Sequence, residues 1–400
     1  MTSPTLTPLA VTASTLSTAM GHGRTATFDA LQAQRSGLAP VRFMDLPLPT
    51  WVGEVASVDA TALPAPLAEF DCRNNRLAWL GLQQDGFLDA VAQAKARWGA
   101  ARVGVFLGTS TSGLLQTELA YRERLPNGAL PASFLYGPTQ NTYSVAAFAV
   151  QALALEGPSF VVSTACSSSA KVFGNAARMI EAGLIDAAVV GGVDSLCLTT
   201  LYGFNSLELL SNEICRPWDA DRKGLSIGEA AAFALVEREP AATPQGWLLG
   251  VGESNDGYHM SSPHPEGAGA IAAMRSALAQ AGLRPTDIDY INLHGTATPS
   301  NDAAEDKAVG AVFGLGTPAS STKGATGHTL GAAGGVEAVI SLLALQHGLM
   351  PAGLNIQQRD PALHLNYLQA NRIGPVRHVL SNSFGFGGST ASLVFGRADR

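Results

Sequence analysis

The chain contains few charged residues and has no basic surplus. Of its 400 residues, 14% are charged and 46% are hydrophobic, which predicts a large core and a surface partly covered by a partner. The formal net charge of −7 argues against a nucleic-acid-binding protein, which would normally present a basic stripe. An acidic protein partner is compatible with this charge, and Arg102, Arg122 and Arg124 are candidate contacts for one.

Cysteine is scarce, and targeting signals are missing. The four cysteines form no CxxC pair and no histidines cluster at zinc-ligand spacing, which argues against a disulfide framework or a structural metal site. The first basic residue is Arg24, which argues against a signal peptide or an Arg-rich transit peptide. The apolar run at residues 145–155 is too short to cross a bilayer. We therefore expect a cytoplasmic protein without a membrane span.

The sequence does contain an alternation of β-branched runs and Ala-rich helical stretches, which is typical of layered α/β folds. In the first half, the pattern predicts strands at residues 102–108, 159–163 and 187–191, and a helix at 167–182. In the second half, it predicts helices at residues 269–282 and 333–347, strands at 289–293 and 389–395, and a strand ending just before residues 250–252. A composition change near residues 240–245 predicts two units, residues 1–243 and 244–400.

Cys166 lies where a predicted buried strand turns into a helix, in the segment TACSSS. Free backbone N–H groups and the helix dipole at a helix N-terminus favour a thiolate, so we expect a lowered thiol pKa. The small neighbours Ala165 and Ser167 leave room for a substrate. A lone cysteine is more often an inert core residue, but this placement favours a nucleophile.

Two histidines occupy loops rich in glycine and threonine, where the backbone can approach a ligand. His294 ends an apolar strand in NLHGTATP, and His328 lies in STKGATGHTLG. One such histidine is more often structural, but two of them with a cysteine at a helix start favour a catalytic arrangement. Lys323 would need a carboxylate partner if it is buried, and Asp302 or Glu305 could supply one.

Near the C-terminus, NSFGFGG at residues 382–388 forms a Gly-rich turn. The residues that follow predict a strand, whereas a phosphate-binding or dinucleotide-binding loop needs a following helix. We therefore interpret this segment as a mobile lip or a loop of backbone donors.

These segments together resemble the β-ketoacyl-[acyl-carrier-protein] synthases, specifically the elongating Cys-His-His class with a thiolase-like fold. The motifs are TACSSS at residues 164–169, CRPWDADRKG at 215–224, HGTATPSND at 294–302, STKGATGHTLGAAGG at 321–335 and NSFGFGG at 382–388. Their order and spacing also agree with the family. The resemblance implies an α/β, thiolase-like chain of two βαβ-rich halves in α/β/α/β/α layers.

The resemblance also implies residue roles. Cys166 would receive the acyl chain, while His294 and His328 would stabilise the enolate that a malonyl donor leaves after losing CO₂. Lys323 would pair with Glu305 and orient the His328 loop. The oxyanion hole would use the backbone N–H groups of Cys166 and Phe386, the latter also acting as gate to the acyl tunnel. Further substrate contacts are expected at Thr296, Thr298, Phe384 and Gly387.

The implied reaction is decarboxylative Claisen condensation of an acyl thioester with malonyl-acyl-carrier-protein. Its substrates arrive on the phosphopantetheine arm of acyl carrier protein, with no metal and no tightly bound cofactor. We expect a homodimer, or a heterodimer with a related ketosynthase or chain-length-factor subunit. The low charge content and the apolar stretch at residues 142–154 are compatible with such an interface.

Two alternatives stay open. A chain-length-factor-like partner would perform no chemistry, and the intact Cys-His-His-Lys set argues against it. A thiolase-type enzyme acting on CoA thioesters needs a second catalytic cysteine, and neither Cys197 nor Cys215 lies in a suitable Gly-rich loop. The initiating synthases have asparagine where His328 stands.

Three departures from the family's usual pattern bear on the pathway. Ala230 replaces a glycine, Ser-Thr at residues 389–390 stands where Thr-Asn is usual, and the first strand lacks a Gly-rich turn. None of them removes a catalytic group. Both primary fatty-acid synthesis and a specialised polyene or polyketide pathway therefore stay open.

Overall fold

The computed structural model describes residues 5–399, which form mixed α/β layers around one continuous 11-stranded sheet. Its strands are β1 (Leu9–Thr18), β2 (Gly21–His22), β5 (Val103–Gly108), β6 (Ser159–Val162), β7 (Ala187–Asp194), β9 (Ala230–Glu237), β10 (Gly246–Asn255), β11 (Tyr290–Asn292), β12 (Ala319–Ser320), β15 (His378–Phe384) and β16 (Ser389–Gly396). One small sheet contains β3 (Ala39–Pro40), β4 (Trp51–Gly53) and β8 (Ile227–Gly228). A second small sheet contains β13 (Leu349–Met350) and β14 (Arg372–Ile373).

The helices connect these strands across the faces of the sheet. They are α1 (Gly23–Gln32), α2 (Arg73–Leu82), α3 (Phe87–Trp98), α4 (Leu114–Arg122), α5 (Ser144–Leu153), α6 (Ser168–Glu181), α7 (Leu198–Ser206), α8 (Ala268–Ala281), α9 (Pro299–Phe313), α10 (Lys323–Thr326) and α11 (Ala333–His347).

The large sheet consists of two halves with the same topology. One half has the order β6-β5-β7-β9-β1, and the other has the corresponding order β12-β11-β15-β16-β10. In each half the first three strands are parallel, and the last two are antiparallel to their neighbours. The halves join where residues 9–11 of β1 pair with residues 246–248 of β10. The two halves of the chain therefore share one strand order, a similarity that the sequence did not reveal.

Helices α6 and α11 form a middle layer that contacts strands of both halves. The largest core cluster mixes both halves around these helices, and includes Phe173, Val190, Leu342 and Val379. Helices α2, α3 and α5 cover the outer face of the first half, and α8 and α9 cover that of the second. The predicted α/β/α/β/α arrangement is confirmed.

The predicted element bounds agree closely with the structure, with one clear error. The helix predicted at residues 333–347 is α11, and the strand predicted at 187–191 is the longer β7. Gly250 and Gly252, however, lie inside β10 instead of following a strand. A Cβ atom on Gly252 would lie 1.8 Å from the carbonyl oxygen of Ala273, so these glycines let α8 pack directly against the strand.

Among the described residues, one helical stretch has the length and apolar composition of a membrane span. This stretch, Leu330–His347, includes α11 and is 89% buried inside the protein. Its apolar character is therefore explained by its place in the middle layer. The predicted division at residues 243/244 falls in the loop between β9 and β10 and stays a prediction.

Candidate active site

A tight turn between β6 and α6 carries Cys166. Ala165 immediately before it adopts a left-handed conformation with φ of 53°, which is costly for a residue with a Cβ atom. Ser168 stabilises the turn, because its Oγ accepts the Thr164 N–H at 2.9 Å and donates to the Ala165 carbonyl at 2.5 Å. The Ser-rich flank therefore holds the thiol at the start of the helix.

The thiol faces a histidine from the other half of the molecule. His328 Nε2 lies 2.9 Å from Cys166 Sγ, and both side chains are buried. The His328 main chain is fixed on β8, since its N–H donates to the Ser226 carbonyl at 2.7 Å and its carbonyl accepts the Gly228 N–H at 2.9 Å. The contact between the Cys166 thiol and the His328 imidazole is therefore held from both sides.

The predicted lowering of the thiol pKa is wrong. Burial raises the pKa of Cys166 to about 12, with the Lys323 charge opposing this effect. The thiol lies at the junction of the two halves, where loss of water disfavours the thiolate more than the helix N-terminus favours it. Burial therefore favours the protonated thiol, and the His328 imidazole is in contact with it.

This correction has a kinetic signature in cysteine alkylation. We expect the rate of Cys166 alkylation by iodoacetamide to rise about tenfold per pH unit between pH 7 and 10, without a plateau, because only the thiolate reacts. Intact-protein mass spectrometry would follow the reaction. The Cys166→Ala protein would measure modification at the three other cysteines, and this background would be subtracted. Glutathione would serve as a reference that levels off as its own thiol ionises. A plateau below pH 8 would show that the helix N-terminus lowers the pKa of the Cys166 thiol more than burial raises it.

His294 follows β11 in a loop that a single carboxylate fixes. The N–H groups of His294 and Gly295 each donate to Glu305 at 2.8 Å, one to each carboxylate oxygen. Asn382 Nδ2 also donates to Glu305, at 3.2 Å. Burial raises the pKa of Glu305 to about 7 against these hydrogen bonds. Glu305 is therefore a support of the His294 loop.

The predicted pairing of Lys323 with Glu305 is wrong, and so is the alternative partner Asp302. The ammonium group of Lys323 forms its ion pair with Glu337 on α11, and both side chains are fully buried. Because the Glu305 carboxylate already accepts three N–H groups from elsewhere, it does not face the lysine. Burial raises the pKa of Glu337 to about 7, while the charge of Lys323 opposes the rise.

A double-mutant cycle would distinguish these two partners of Lys323. We expect Glu337→Gln to lower the free energy of unfolding by about 3–5 kcal/mol, because it leaves a buried ammonium group without its counter-charge. In a protein that already carries Lys323→Met, Glu337→Gln should lower the free energy of unfolding by less. The effects of Glu305→Gln and Lys323→Met on the free energy of unfolding should be closer to additive. Urea denaturation of the wild type, the three single variants and the two double variants measures both couplings. Stronger coupling of Lys323 to Glu305 than to Glu337 would contradict the assignment.

The two imidazoles are close to each other and differ in their partners. Their ring centroids are 5.3 Å apart with planes at 86°. Lys323 Nζ lies 3.4 Å from His294 Nδ1, so the ammonium donates there and leaves the ring proton on Nε2. Burial lowers the pKa of His294 and of His328 well below 6.5, and Lys323 lowers both further. Neutral imidazoles therefore face the thiol.

These groups open into one cavity of about 730 Å³, counted out to its mouth. The predicted site residues that line it are Cys166, His294, His328, Glu305, Thr296, Thr298, Phe384 and Phe386. Thr296 and Thr298 hydrogen-bond each other through their hydroxyl groups at 2.9 Å. The ring centroids of Phe386 and Phe204 of α7 lie 5.5 Å apart, and both residues line the cavity.

Gly387, predicted to bind substrate, lies on the exposed side of its loop and outside the cavity lining. Its carbonyl accepts Asn255 Nδ2 at 3.0 Å, and its N–H donates to the Met260 carbonyl at 2.8 Å. Asp256 and residues 261–263, which also line the cavity, were not predicted from the sequence. Glu337 was missed as well, although a lone carboxylate inside an apolar helix is a usable signal of a buried partner.

Comparison with known proteins places the chain in a family. It matches the description "Beta-ketoacyl synthase, N-terminal domain" over residues 7–242 and "Beta-ketoacyl synthase, C-terminal domain" over residues 246–357. The fold and site define a condensing enzyme of the acyltransferase class. The chain belongs to the β-ketoacyl synthase family, as its five sequence motifs predicted.

Several relatives support this placement over different lengths. The 3-oxoacyl-[acyl-carrier-protein] synthase 2 of Coxiella burnetii is 33% identical over 399 residues, which are 92% of this chain and 94% of that protein. The mitochondrial 3-oxoacyl-[acyl-carrier-protein] synthase of Arabidopsis thaliana is 43% identical over 260 residues, 60% of this chain and 56% of that protein. A solved ketosynthase in complex with its chain length factor, from Xenorhabdus doucetiae, has a TM-score of 0.91 at 39% identity and covers 98% of both chains.

Proposed function

We propose that this protein catalyses decarboxylative Claisen condensation of an acyl thioester, held on Cys166, with malonyl-acyl-carrier-protein. The observation that carries the proposal is the 2.9 Å contact between Cys166 Sγ and His328 Nε2, beside a second neutral imidazole in the same cavity. A 3-oxoacyl product carried on acyl carrier protein is also suggested by the names of the curated relatives, which are 3-oxoacyl-[acyl-carrier-protein] synthases.

The first half-reaction transfers the acyl group. His328 Nε2 accepts the thiol proton, and the Cys166 thiolate attacks the carbonyl carbon of the incoming thioester. The backbone N–H groups of Cys166 and Phe386 stabilise the oxyanion that forms. When the tetrahedral intermediate collapses, the phosphopantetheine sulfur leaves and takes the proton back from His328. Acyl-Cys166 and the free carrier thiol are the products.

The second half-reaction forms the carbon–carbon bond. His294 donates its Nε2 proton as a hydrogen bond to the thioester carbonyl of the malonyl group. His328 donates a second hydrogen bond after its ring proton shifts from Nδ1 to Nε2, since the acylated sulfur no longer needs a proton acceptor. The C–C bond to the carboxylate breaks, CO₂ leaves, and its electron pair forms an enolate that these donors stabilise. The enolate carbon attacks the carbonyl carbon of acyl-Cys166, and the C–S bond to the enzyme breaks. The released Cys166 thiolate takes up one proton from solvent, which balances the loss of the malonyl carboxylate as CO₂. The result is a β-ketoacyl thioester on the carrier.

Lys323 and the loops act by positioning. Its ammonium group holds the proton of His294 on the nitrogen that faces the cavity, and the Glu337 carboxylate compensates its charge. Thr296, Thr298 and Phe384 line the route to the thiol and are suited to contact the phosphopantetheine arm. This set needs no tightly bound cofactor to complete the reaction.

The rival functions lack support from the site. A non-catalytic partner subunit has no use for a thiol held 2.9 Å from a buried imidazole. A thiolase needs a second cysteine at the reaction centre, and within the described residues Cys72, Cys197 and Cys215 lie outside the cavity lining.

Acylation followed by mass spectrometry tests the function. The protein would be mixed with a panel of acyl-carrier thioesters, then with malonyl-acyl-carrier-protein, and both adduct mass and CO₂ release would be measured. We expect an acyl adduct on the wild type and on Cys72→Ala, none on Cys166→Ala, and one CO₂ released per β-ketoacyl product. Acyl transfer from CoA without CO₂ release would instead identify a thiolase, and no adduct with any carrier would identify a partner subunit.

We also propose that the protein dimerises through β6, with a second copy or with a chain-length-factor-like subunit. Strand β6 is the edge of the sheet, hydrogen-bonds only β5, and has all four residues half-buried. Beside it, the exposed Tyr143 hydroxyl hydrogen-bonds Ser159 Oγ at 2.6 Å. We expect Val161→Lys to yield a monomer in analytical ultracentrifugation, with Leu315→Lys, at an exposed site elsewhere, as the control. If the Val161→Lys protein is still a dimer, the interface does not lie at β6.

The carrier-docking surface stays a prediction. Arg102 is already engaged, because its Nε donates to Asp186 at 2.5 Å and one terminal nitrogen donates to the Gly183 and Leu184 carbonyls. Arg122 and Arg124 are exposed and remain the candidate contacts for an acidic carrier.

A further inference from the structure

The Cys-His-His cluster has a second chemical capacity besides condensation. Cys166 Sγ and one ring nitrogen of each of His294 and His328 all lie within 4.8 Å of one another, and all three residues are buried. No two of these residues are near each other in the sequence at zinc-ligand spacing, so only the fold brings the three donors together.

We propose that these three side chains bind one Zn²⁺ ion, or a similar thiophilic divalent cation, and that the metal-bound form cannot accept an acyl group. Thiolate and imidazole are the ligands that Zn²⁺ prefers, and three protein ligands with an open fourth position form a complete coordination set. The binding claim rests on geometry alone, whereas the inhibition claim rests on the proposed function.

The distances allow the ion to enter with small movements. With Zn–S near 2.3 Å and Zn–N near 2.0–2.1 Å, tetrahedral geometry places sulfur and nitrogen about 3.6 Å apart. Sγ and His328 Nε2 are 2.9 Å apart, so they must separate by less than about 1 Å. To coordinate through Nε2, His294 must shift its ring proton from Nε2 to Nδ1, and Lys323, which contacts Nδ1, must then donate to Glu337 alone.

Access favours the site, and the opposing charge of Lys323 is compensated in part. The Lys323 ammonium group, which would repel a cation, is paired with the Glu337 carboxylate. Metal binding displaces the thiol proton to solvent, so the Zn²⁺–thiolate unit keeps a single positive charge. The cavity reaches the ion from its mouth, leaving the fourth position for water or for the carbonyl oxygen of a thioester. Because metal and acyl group both require Cys166 Sγ, they exclude each other.

Metal titration of tag-free protein tests the proposal. We expect one Zn²⁺ per chain by calorimetry, and a sulfur-to-metal charge-transfer band in the near ultraviolet when Co²⁺ replaces Zn²⁺. Cys166→Ser should abolish the band, and both Cys166→Ser and His328→Ala should weaken binding by about 100-fold or more. Cys72→Ser and His259→Gln, which alter a cysteine and a histidine outside the cluster, should bind as the wild type does.

The acylated enzyme supplies the decisive comparison. Protein loaded with an acyl group on Cys166 should lose the Co²⁺ band, and Zn²⁺ added first should slow acylation in proportion to its occupancy. Unchanged binding in Cys166→Ser, or a Co²⁺ spectrum without sulfur character, would overturn the metal site. If the protein binds Zn²⁺ at Cys166 but its metal-free form accepts no acyl group from any carrier, the metal site stands and the proposed function is refuted instead.

Discussion

Cys166→Ala is expected to lower condensation by at least about 10⁴-fold while leaving decarboxylation of malonyl-acyl-carrier-protein measurable. Condensation requires a covalent acyl intermediate, and alanine offers no nucleophile. Decarboxylation requires only donors to the thioester carbonyl, and His294 and His328 do not depend on the thiol for their positions. The His328 main chain is fixed by β8, and the His294 loop is fixed by Glu305.

The measurement follows labelled CO₂ and β-ketoacyl product in the same reaction. Cys72→Ala is the matched control, since Cys72 is a buried cysteine at the N-terminus of α2, outside the cavity lining. Loss of CO₂ release together with loss of product would show that the thiol itself takes part in decarboxylation. An acyl adduct on the Cys166→Ala protein would identify another nucleophile.

His294→Ala is expected to slow the condensation step by about 10²–10³-fold, because it removes one hydrogen-bond donor to the developing enolate. Acylation of Cys166 should change much less, since His328 is the histidine in contact with the thiol. Single-turnover experiments that start from acyl enzyme separate the two steps. The contrast between the steps is the essential result, because a folding defect would lower both.

His294→Gln and His328→Ala complete the comparison. Glutamine keeps an N–H donor without an ionisable ring, so His294→Gln should recover part of the lost rate. His328→Ala should lower acylation as well as condensation, because it removes the proton acceptor of the thiol. Equal losses in both steps for His294→Ala would contradict the division of labour between the two histidines.

Local sequence patterns were sufficient for the elements and for the reactive groups. The helix at residues 333–347 follows from its apolar composition, and the position of Cys166 follows from a β-branched run turning into a Ser-rich helix start. Such patterns reflect interactions within a few residues, so a sequence reading can find them. Gly250 and Gly252 were misread because their cause, the approach of α8 to β10, lies in another element.

The carboxylate that pairs with Lys323 could be identified only from the fold. Glu305 is close to His294 in the sequence and was a reasonable partner for Lys323, but the Glu337 carboxylate reaches the lysine from α11 in the middle layer. The pKa of Cys166 could not be predicted from the sequence for the same reason. The helix N-terminus acts on the thiol locally, whereas desolvation comes from the packing of both halves.

The sequence by itself determined the family, the layered α/β fold, and the identity of the thiol and the two imidazoles. Only the tertiary structure decided which carboxylate compensates Lys323, which histidine contacts the thiol, and that burial raises the pKa of the thiol. The physical reason is the range of the interactions. Helix, strand and turn preferences act along the chain, whereas desolvation and ion pairing depend on groups that folding brings together from distant positions.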